Sequence, residues 1–451
     1  MDQTSQGAGT GTITLPYGRE TQTLDLSQHH VLGVLQAGGS TSEGIVAESA
    51  IIQHALDHPI GRLPLDLMLR AKDTVCIVIS DITRAWQRMH VFLPLLVERI
   101  NTAGVPDSRI CFLCATGSHR LITEEESHTL LGPELSRRFS VTSHDCHDES
   151  QLTTVGTTSY GTEVRLNRMA VEADHLILTG GIVFHDLAGW GGGKKSIVPG
   201  IAAYDTIMAN HALSLGDTPG SGIHQCVRCG SIEGNRLNAD MQEAAVMVDP
   251  SFILNVIVND QGTIGAAVAG HYLEAFEEGK RILDLSDRVP IERLGRLAVA
   301  SVGGFPKDIN FYQSTKALSS AKEAVEKGGV ILLLCQCEDG VGHPEVSKLL
   351  TEFDSHAARE MEMRRAFTVS KFAGFLASQT AEDYEVYCVT DLDPAVLTGI
   401  GFQVYRQASD ALEAINARHG TGLETYVIPS ASNVLPGLVT PSPPQSVRIL
   451  D

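Results

Sequence analysis

Short, nearly unbroken runs of β-branched and aliphatic residues, each followed by a helical pattern, constrain this chain more than any other feature. Thr74 to Ile79 ends at Ser80-Asp81 and is followed by an amphipathic segment from Met89 to Asn101. Arg109 to Cys114 ends at Ala115-Thr116-Gly117-Ser118-His119-Arg120, and Ala173 to Val183 ends in a glycine-rich loop. Strands that are apolar on both faces belong inside a mainly parallel sheet covered by helices on each side. In such sheets, ligands collect where loops leave the carboxyl ends of the strands. Asp81, His119 and His185 each follow such a run and are expected to meet at one site.

The pattern restarts after Asp284-Leu285-Ser286-Asp287. Leu297 to Val302 runs into Gly303-Gly304-Phe305-Pro306-Lys307-Asp308, and a helix is expected from Phe311 to Lys327. Strands are expected at Val330–Leu334 and Glu385–Val389. The fold class is therefore α/β: two α/β domains with mainly parallel sheets and the active site in the cleft between them. Residues 1–10 read as disordered, 11–287 as a catalytic and cofactor-binding domain that includes a hairpin around Gly18-Arg19, and 288–451 as a second α/β domain. The proline-rich tail from Thr440 to Pro444 carries no functional signal.

A formal charge of −20 argues against nucleic acid or an anionic membrane as partner, so an anionic substrate needs a local cluster of cations. Nine cysteines scattered over 451 residues suggest reduced thiols. The first residues lack a basic start followed by an apolar stretch, and no apolar run has the length of a membrane span. The expected location is the cytoplasm.

The loop Phe184-His185-Asp186-Leu187-Ala188-Gly189-Trp190-Gly191-Gly192-Gly193-Lys194-Lys195-Ser196 is the densest chemical signal. A strand opening into glycines and lysines suits an anion held by backbone N–H groups and positive charge. The phosphate-loop pattern fails in either register. With Lys194 as its lysine the hydroxyl residue is missing, and with Lys195 a lysine replaces the preceding glycine. Phosphoryl transfer is disfavoured accordingly.

His119 and His185, each taken alone, read as hydrogen-bonded structural residues. Two histidines at equivalent strand ends near a cationic loop suit general acid–base work. His211 lies on the expected next helix, either capping it or reaching back toward Lys195. Arg84 reads equally as a carboxylate holder or as one half of a surface ion pair. Gln313 and Lys316 share one helix face near its start and suit a carboxylate. Cys226 and Cys229, beside His224, lack the second pair that a structural zinc site requires.

In order along the chain, these segments resemble the nickel-pincer-nucleotide-dependent lactate racemase family. The similarity runs from Leu15-Pro16-Tyr17-Gly18 through Ser80 to Arg84, Ala115 to Arg120, His185 to Gly200, Glu233-Gly234-Asn235 and Gly303 to Asn310, ending at Tyr312 to Lys316. The resemblance implies a 2-hydroxy-acid racemase or epimerase. Its cofactor would be a nickel-pincer nucleotide, a nickel complex of pyridinium-3-thioamide-5-thiocarboxylic acid mononucleotide, made by partner biosynthesis enzymes. Lys195 matches the lysine that carries this cofactor covalently, and His211 the protein ligand to nickel. His119 and His185 match the acid–base pair. Asp81, Gly191, Gly192 and Gly193 would contact the cofactor, and Arg84, Tyr312, Gln313 and Lys316 the substrate. Hydride leaves and returns to C2 through a 2-keto acid, while a histidine on each side handles the hydroxyl proton. Ala85-Trp86, Phe184, Trp190-Gly191 and the stretch from Cys226 to Cys229 depart from the family pattern around the expected pocket wall. The implied substrate is therefore a 2-hydroxy acid or sugar acid rather than lactate specifically. The competing class is a non-catalytic nickel or nucleotide carrier using His211, His224 and the thiols.

Overall fold

Burial of both faces explains why the apolar runs become strands. Val75–Ser80, Ile110–Ala115 and His175–Gly181 lie side by side, parallel, with almost every side chain inside. The computed structural model describes residues 11–37 and 46–439. The residues expected to be disordered (1–10) and the proline-rich tail lie outside the described residues. The described chain divides into two units. One comprises residues 46–286 and 361–369, and the other 11–37, 287–360 and 370–439.

In the first unit a six-stranded sheet runs in the order Ile264–Gly270, Phe252–Val258, His175–Gly181, Val75–Ser80, Ile110–Ala115, Val141–Ser143. Only the Ile264 strand is antiparallel to its neighbour. The helix Met89–Thr102 turns Phe92, Leu93, Leu96, Val97 and Ile100 onto the sheet, the 3–4 spacing of an amphipathic helix. From the Val75 strand the chain moves outward to Ile110 and Val141, then returns to place His175–Gly181 on the other side. The order thus reverses between the Val75 and His175 strands, and at such a switch point loops diverge and leave a crevice.

The second unit holds another six-stranded sheet, in the order Gln403–Tyr405, Glu385–Val389, Val325–Leu334, Gly295–Ser301, Glu424–Ile428, His30–Val34, parallel throughout. Two sequence expectations need correction here. The hairpin Thr12–Tyr17 and Glu20–Asp25, assigned with 11–287, belongs to this second unit. Leu15, Tyr17, Leu24 and Leu26 are buried in one cluster with Leu297, Val299, Leu332 and Tyr387, and the His30 strand pairs with the Glu424 strand. Long-range partners of this kind leave no local trace. The helix expected over 311–327 stops at Ala321. A turn at Lys322–Ala324 then opens a strand that starts at Val325, five residues before the expected start. Gly328, with a φ of 80°, outside helical space, lies within that strand. No helix among the described residues is long and apolar enough to cross a membrane.

Candidate active site

Three loops at the switch-point edge carry the expected site residues of the first unit. Asp81 closes the Val75 strand and caps the turn Ile82–Gln87: its Oδ1 accepts the Thr83 N–H at 2.9 Å and the Thr83 hydroxyl. Its other oxygen accepts from His119 Nδ1 at 2.6 Å. A carboxylate only accepts, so Nδ1 carries the proton and the His119 Nε2 lone pair is left to act as a base. Burial pushes the Asp81 carboxyl upward, but the His119 hydrogen bond and charge, with Thr83 and Arg84, reverse this and hold it below its ordinary value. Asp81, expected to contact the cofactor, hydrogen-bonds His119 and Thr83. Arg84 is half-buried and donates to the Thr83 hydroxyl at 2.7 Å.

The His119 loop is tied to the lysine loop through its backbone, since Gly117 N–H donates to Gly200 carbonyl at 2.9 Å. Gly117 has a φ of 55°, and a Cβ there would touch Pro199. On the lysine loop, Phe184–His185 pairs with Gly189–Trp190, His185 lying opposite Gly189. Lys195 Nζ lies 3.0 Å from His185 Nε2. On the other side of that ring, Leu187 N–H at 3.1 Å and Ala188 N–H at 3.4 Å face Nδ1, and Asp186 Oδ1 is 3.0 Å away.

His211 ends the helix Tyr204–Ala212 and is buried. Its Nδ1 sits 2.9 Å from the Ile207 carbonyl, an acceptor, so Nδ1 carries the hydrogen and Nε2 offers its lone pair. Burial first, then the positive charge of Lys195 and of His185, drive its pKa down to about 3. The ring is a neutral imidazole within electrostatic reach of Lys195 and His185, and neutral imidazole is the form that binds a metal. Among the described residues no group of three or more His, Cys, Asp or Glu side chains is placed to hold a metal ion.

The two lysines separate cleanly. Lys194 is buried, and its ammonium donates to Asn238 Oδ1 at 2.8 Å and Gln242 Oε1 at 3.0 Å. Burial and the nearby Lys280 lower its pKa to about 8. An unfolded lysine titrates near ~10.4, so between these values the unfolded chain binds a proton that the folded chain lacks. Folding stability then rises with pH across that window, by up to about 3 kcal/mol from this group. Urea unfolding of Lys194→Met beside the parent checks this. The variant's stability relative to the parent is expected to fall as pH is raised from 8 to 10, and a constant difference would contradict the assignment.

Two of the three glycines expected to contact the cofactor use their N–H groups inside the protein. Gly191 N–H donates to the Val183 carbonyl at 2.7 Å, and Gly193 N–H to Asn255 Oδ1 at 2.9 Å. A Cβ on Gly192 would stand 2.9 Å from the Gly181 carbonyl, and one on Gly193 2.9 Å from the Phe276 ring. Glycine is needed for close packing, and the N–H groups of Gly191 and Gly193 are already used inside the protein. Asn255, wholly buried in the strand Phe252–Val258, was not anticipated, although a lone amide in an apolar strand is a readable signal. Asn235 and Asn238, which grip the same loop, were missed too.

Tyr312, Gln313 and Lys316 lie on the helix Phe311–Ala321 of the other unit, where Lys316 Nζ donates to Gln313 Oε1 at 2.7 Å. Cys226 and Cys229 are unbridged thiols, and His224 Nδ1 accepts the Cys226 N–H at 3.2 Å.

The chain is similar to known proteins over most of its length. The profile of the lactate racemase N-terminal domain matches residues 17–222, and that of the lactate racemase C-terminal domain matches 292–435. The lactate racemase of Lactiplantibacillus plantarum is 30% identical over 433 residues, covering 94% of this chain and 99% of that protein. The chain belongs to the lactate racemase family. A second lactate racemase, from Thermoanaerobacterium thermosaccharolyticum, is 33% identical over 330 residues, 73% of this chain and 75% of that protein. The solved lactate racemase apoprotein from the same organism superposes with a TM-score of 0.85 at 28% identity, covering 94% of this chain and all of that one. The lactate racemase family is one of isomerases; its C-terminal profile lies within the second unit except at residues 361–369, and its N-terminal profile covers residues 17–37 of that unit together with most of the first.

Proposed function

We propose that this chain inverts C2 of a 2-hydroxy acid such as lactate, using a nickel-pincer nucleotide tethered to Lys195. The observation that carries the reading is the 3.0 Å contact of Lys195 with His185, with neutral His211 within electrostatic reach and the loop bearing the Asp81–His119 pair tied to the same loop. When bound, such a cofactor would supply reversible hydride-acceptor chemistry beside C2. His119 Nε2 accepts the hydroxyl proton of one enantiomer, and Asp81 favours the imidazolium that results. Removing the hydroxyl proton readies C2 to give up its hydrogen as hydride, so no carbanion forms beside the carboxylate. His185 does the same work for the mirror-image substrate, and each histidine returns the proton the other direction needs. Arg84, with Tyr312, Gln313 and Lys316, is assigned to the substrate, the cations and the amide holding its carboxylate while the keto acid turns. His211 would hold nickel through Nε2, and Lys195 would carry the tether through its amine. Enzymes that build the nucleotide are the implied partners.

The test is racemisation of 2-deuterated lactate, and of larger 2-hydroxy acids, in ordinary water by protein co-expressed with the cofactor pathway. Retention of deuterium at C2 in the inverted product is the expected result. Washout into solvent would instead indicate C2 proton abstraction and overturn the hydride route.

A further inference from the structure

His185 and Lys195 sit on one loop, ten residues apart, and their 3.0 Å contact depends on how that loop is held. The paired segment Phe184–His185 and Gly189–Trp190 is only two residues long on each side, and short hairpins do not hold themselves. Its support comes from the start of the helix Arg236–Val248. Asn235 caps this helix, its Oδ1 accepting the Asn238 N–H at 3.1 Å, while its Nδ2 donates to the Leu187 carbonyl at 2.8 Å. Asn238 does more. Its Nδ2 donates to the Ala188 carbonyl at 2.7 Å, and its Oδ1 accepts from Lys194 Nζ at 2.8 Å. Ala188 is one of the two residues whose N–H faces His185 Nδ1, and Lys194 is the neighbour of Lys195.

We propose that Asn238 is a positioning residue for this reaction: one buried amide ties Ala188, the residue whose N–H faces the His185 ring, to the residue beside Lys195, and so sets their separation. The proposal rests on the racemase reading above. Both arms of the amide are used, which is how a buried amide avoids a desolvation cost. The two arms differ chemically, so they can be cut separately. Asn238→Asp keeps the shape and the acceptor for Lys194, but it turns an oxygen toward the Ala188 carbonyl. Lys194→Met removes the other arm alone.

Selective ¹⁵N-histidine labelling of the cofactor-free protein, with His185→Gln to assign the signal, reads the ring directly. Asn238→Asp and Asn238→Leu are expected to shift both His185 nitrogens. In loaded protein they are expected to lower kcat by about 10- to 100-fold with KM within about twofold, the scale of a displaced catalytic group. Unchanged His185 resonances, or shifted resonances with unchanged kcat, would overturn the proposal. Should Asn238→Leu not fold, the isosteric Asp variant still decides. If the variants shift His185 while loaded parent protein racemises no 2-hydroxy acid, the racemase reading fails and the positioning of the ring stands.

Discussion

Lys195→Ala is expected to abolish racemisation and the mass increment on the Lys195 peptide together, with activity down by roughly 10⁴-fold or more. A tether converts a bimolecular encounter into an intramolecular one, and well-oriented intramolecular reactions reach effective molarities of about 10⁵ M or above. The same residue faces His185 Nε2, so its loss also empties the space beside that base. Lys195→Arg separates the two contributions: it keeps a cation near His185 and His211 but has no amine to acylate, and is expected to be as inactive as the alanine variant. Peptide mass spectrometry alongside a chiral lactate assay reads both quantities. Normal turnover by unmodified Lys195→Ala protein would remove the basis of the proposed mechanism.

Asp81→Asn is expected to cost about 10²- to 10⁴-fold in kcat, the usual worth of a positioned acid–base group, with little change in fold. The direction follows from the donors around residue 81. Thr83 presents both its N–H and its hydroxyl to Oδ1, so an asparagine there keeps its carbonyl oxygen for Thr83. Its NH₂ then faces His119 Nδ1, which has to accept. The ring hydrogen moves to Nε2, the atom that should receive the substrate proton. The carboxylate charge that favours imidazolium disappears as well. Initial rates from each enantiomer by chiral chromatography, beside a thermal melt, test this. A loss smaller than about threefold would show that Asp81 does not govern the His119 tautomer.

The core strands of both units were legible because strands buried on both faces carry an apolar signal that needs no partner to interpret. The loops bearing Asp81, His119 and His185 followed, since position after such a strand is itself the information. Three things did not follow. Lys194 and Lys195 are neighbours with identical side chains, and only the buried amides of Asn238 and Gln242 mark the first as structural. Gly191 to Gly193 suggested an anion cradle, and their contacts with Val183, Gly181, Asn255 and Phe276 were not readable from the sequence. The hairpin Thr12–Tyr17 and Glu20–Asp25 was joined to the residues that follow it, because its partners at Leu297, Leu332 and Tyr387 lie hundreds of positions later.

The passage of the backbone from one unit to the other and back has a practical meaning for anyone dividing this gene. A cut at residue 287 looks natural on paper, yet the upstream piece would carry away the His30 edge strand and the lid formed by Leu15, Tyr17, Leu24 and Leu26. The downstream piece would be left with bare oily surface and an open sheet margin, both invitations to clump. Neither half of the text is a half of the object.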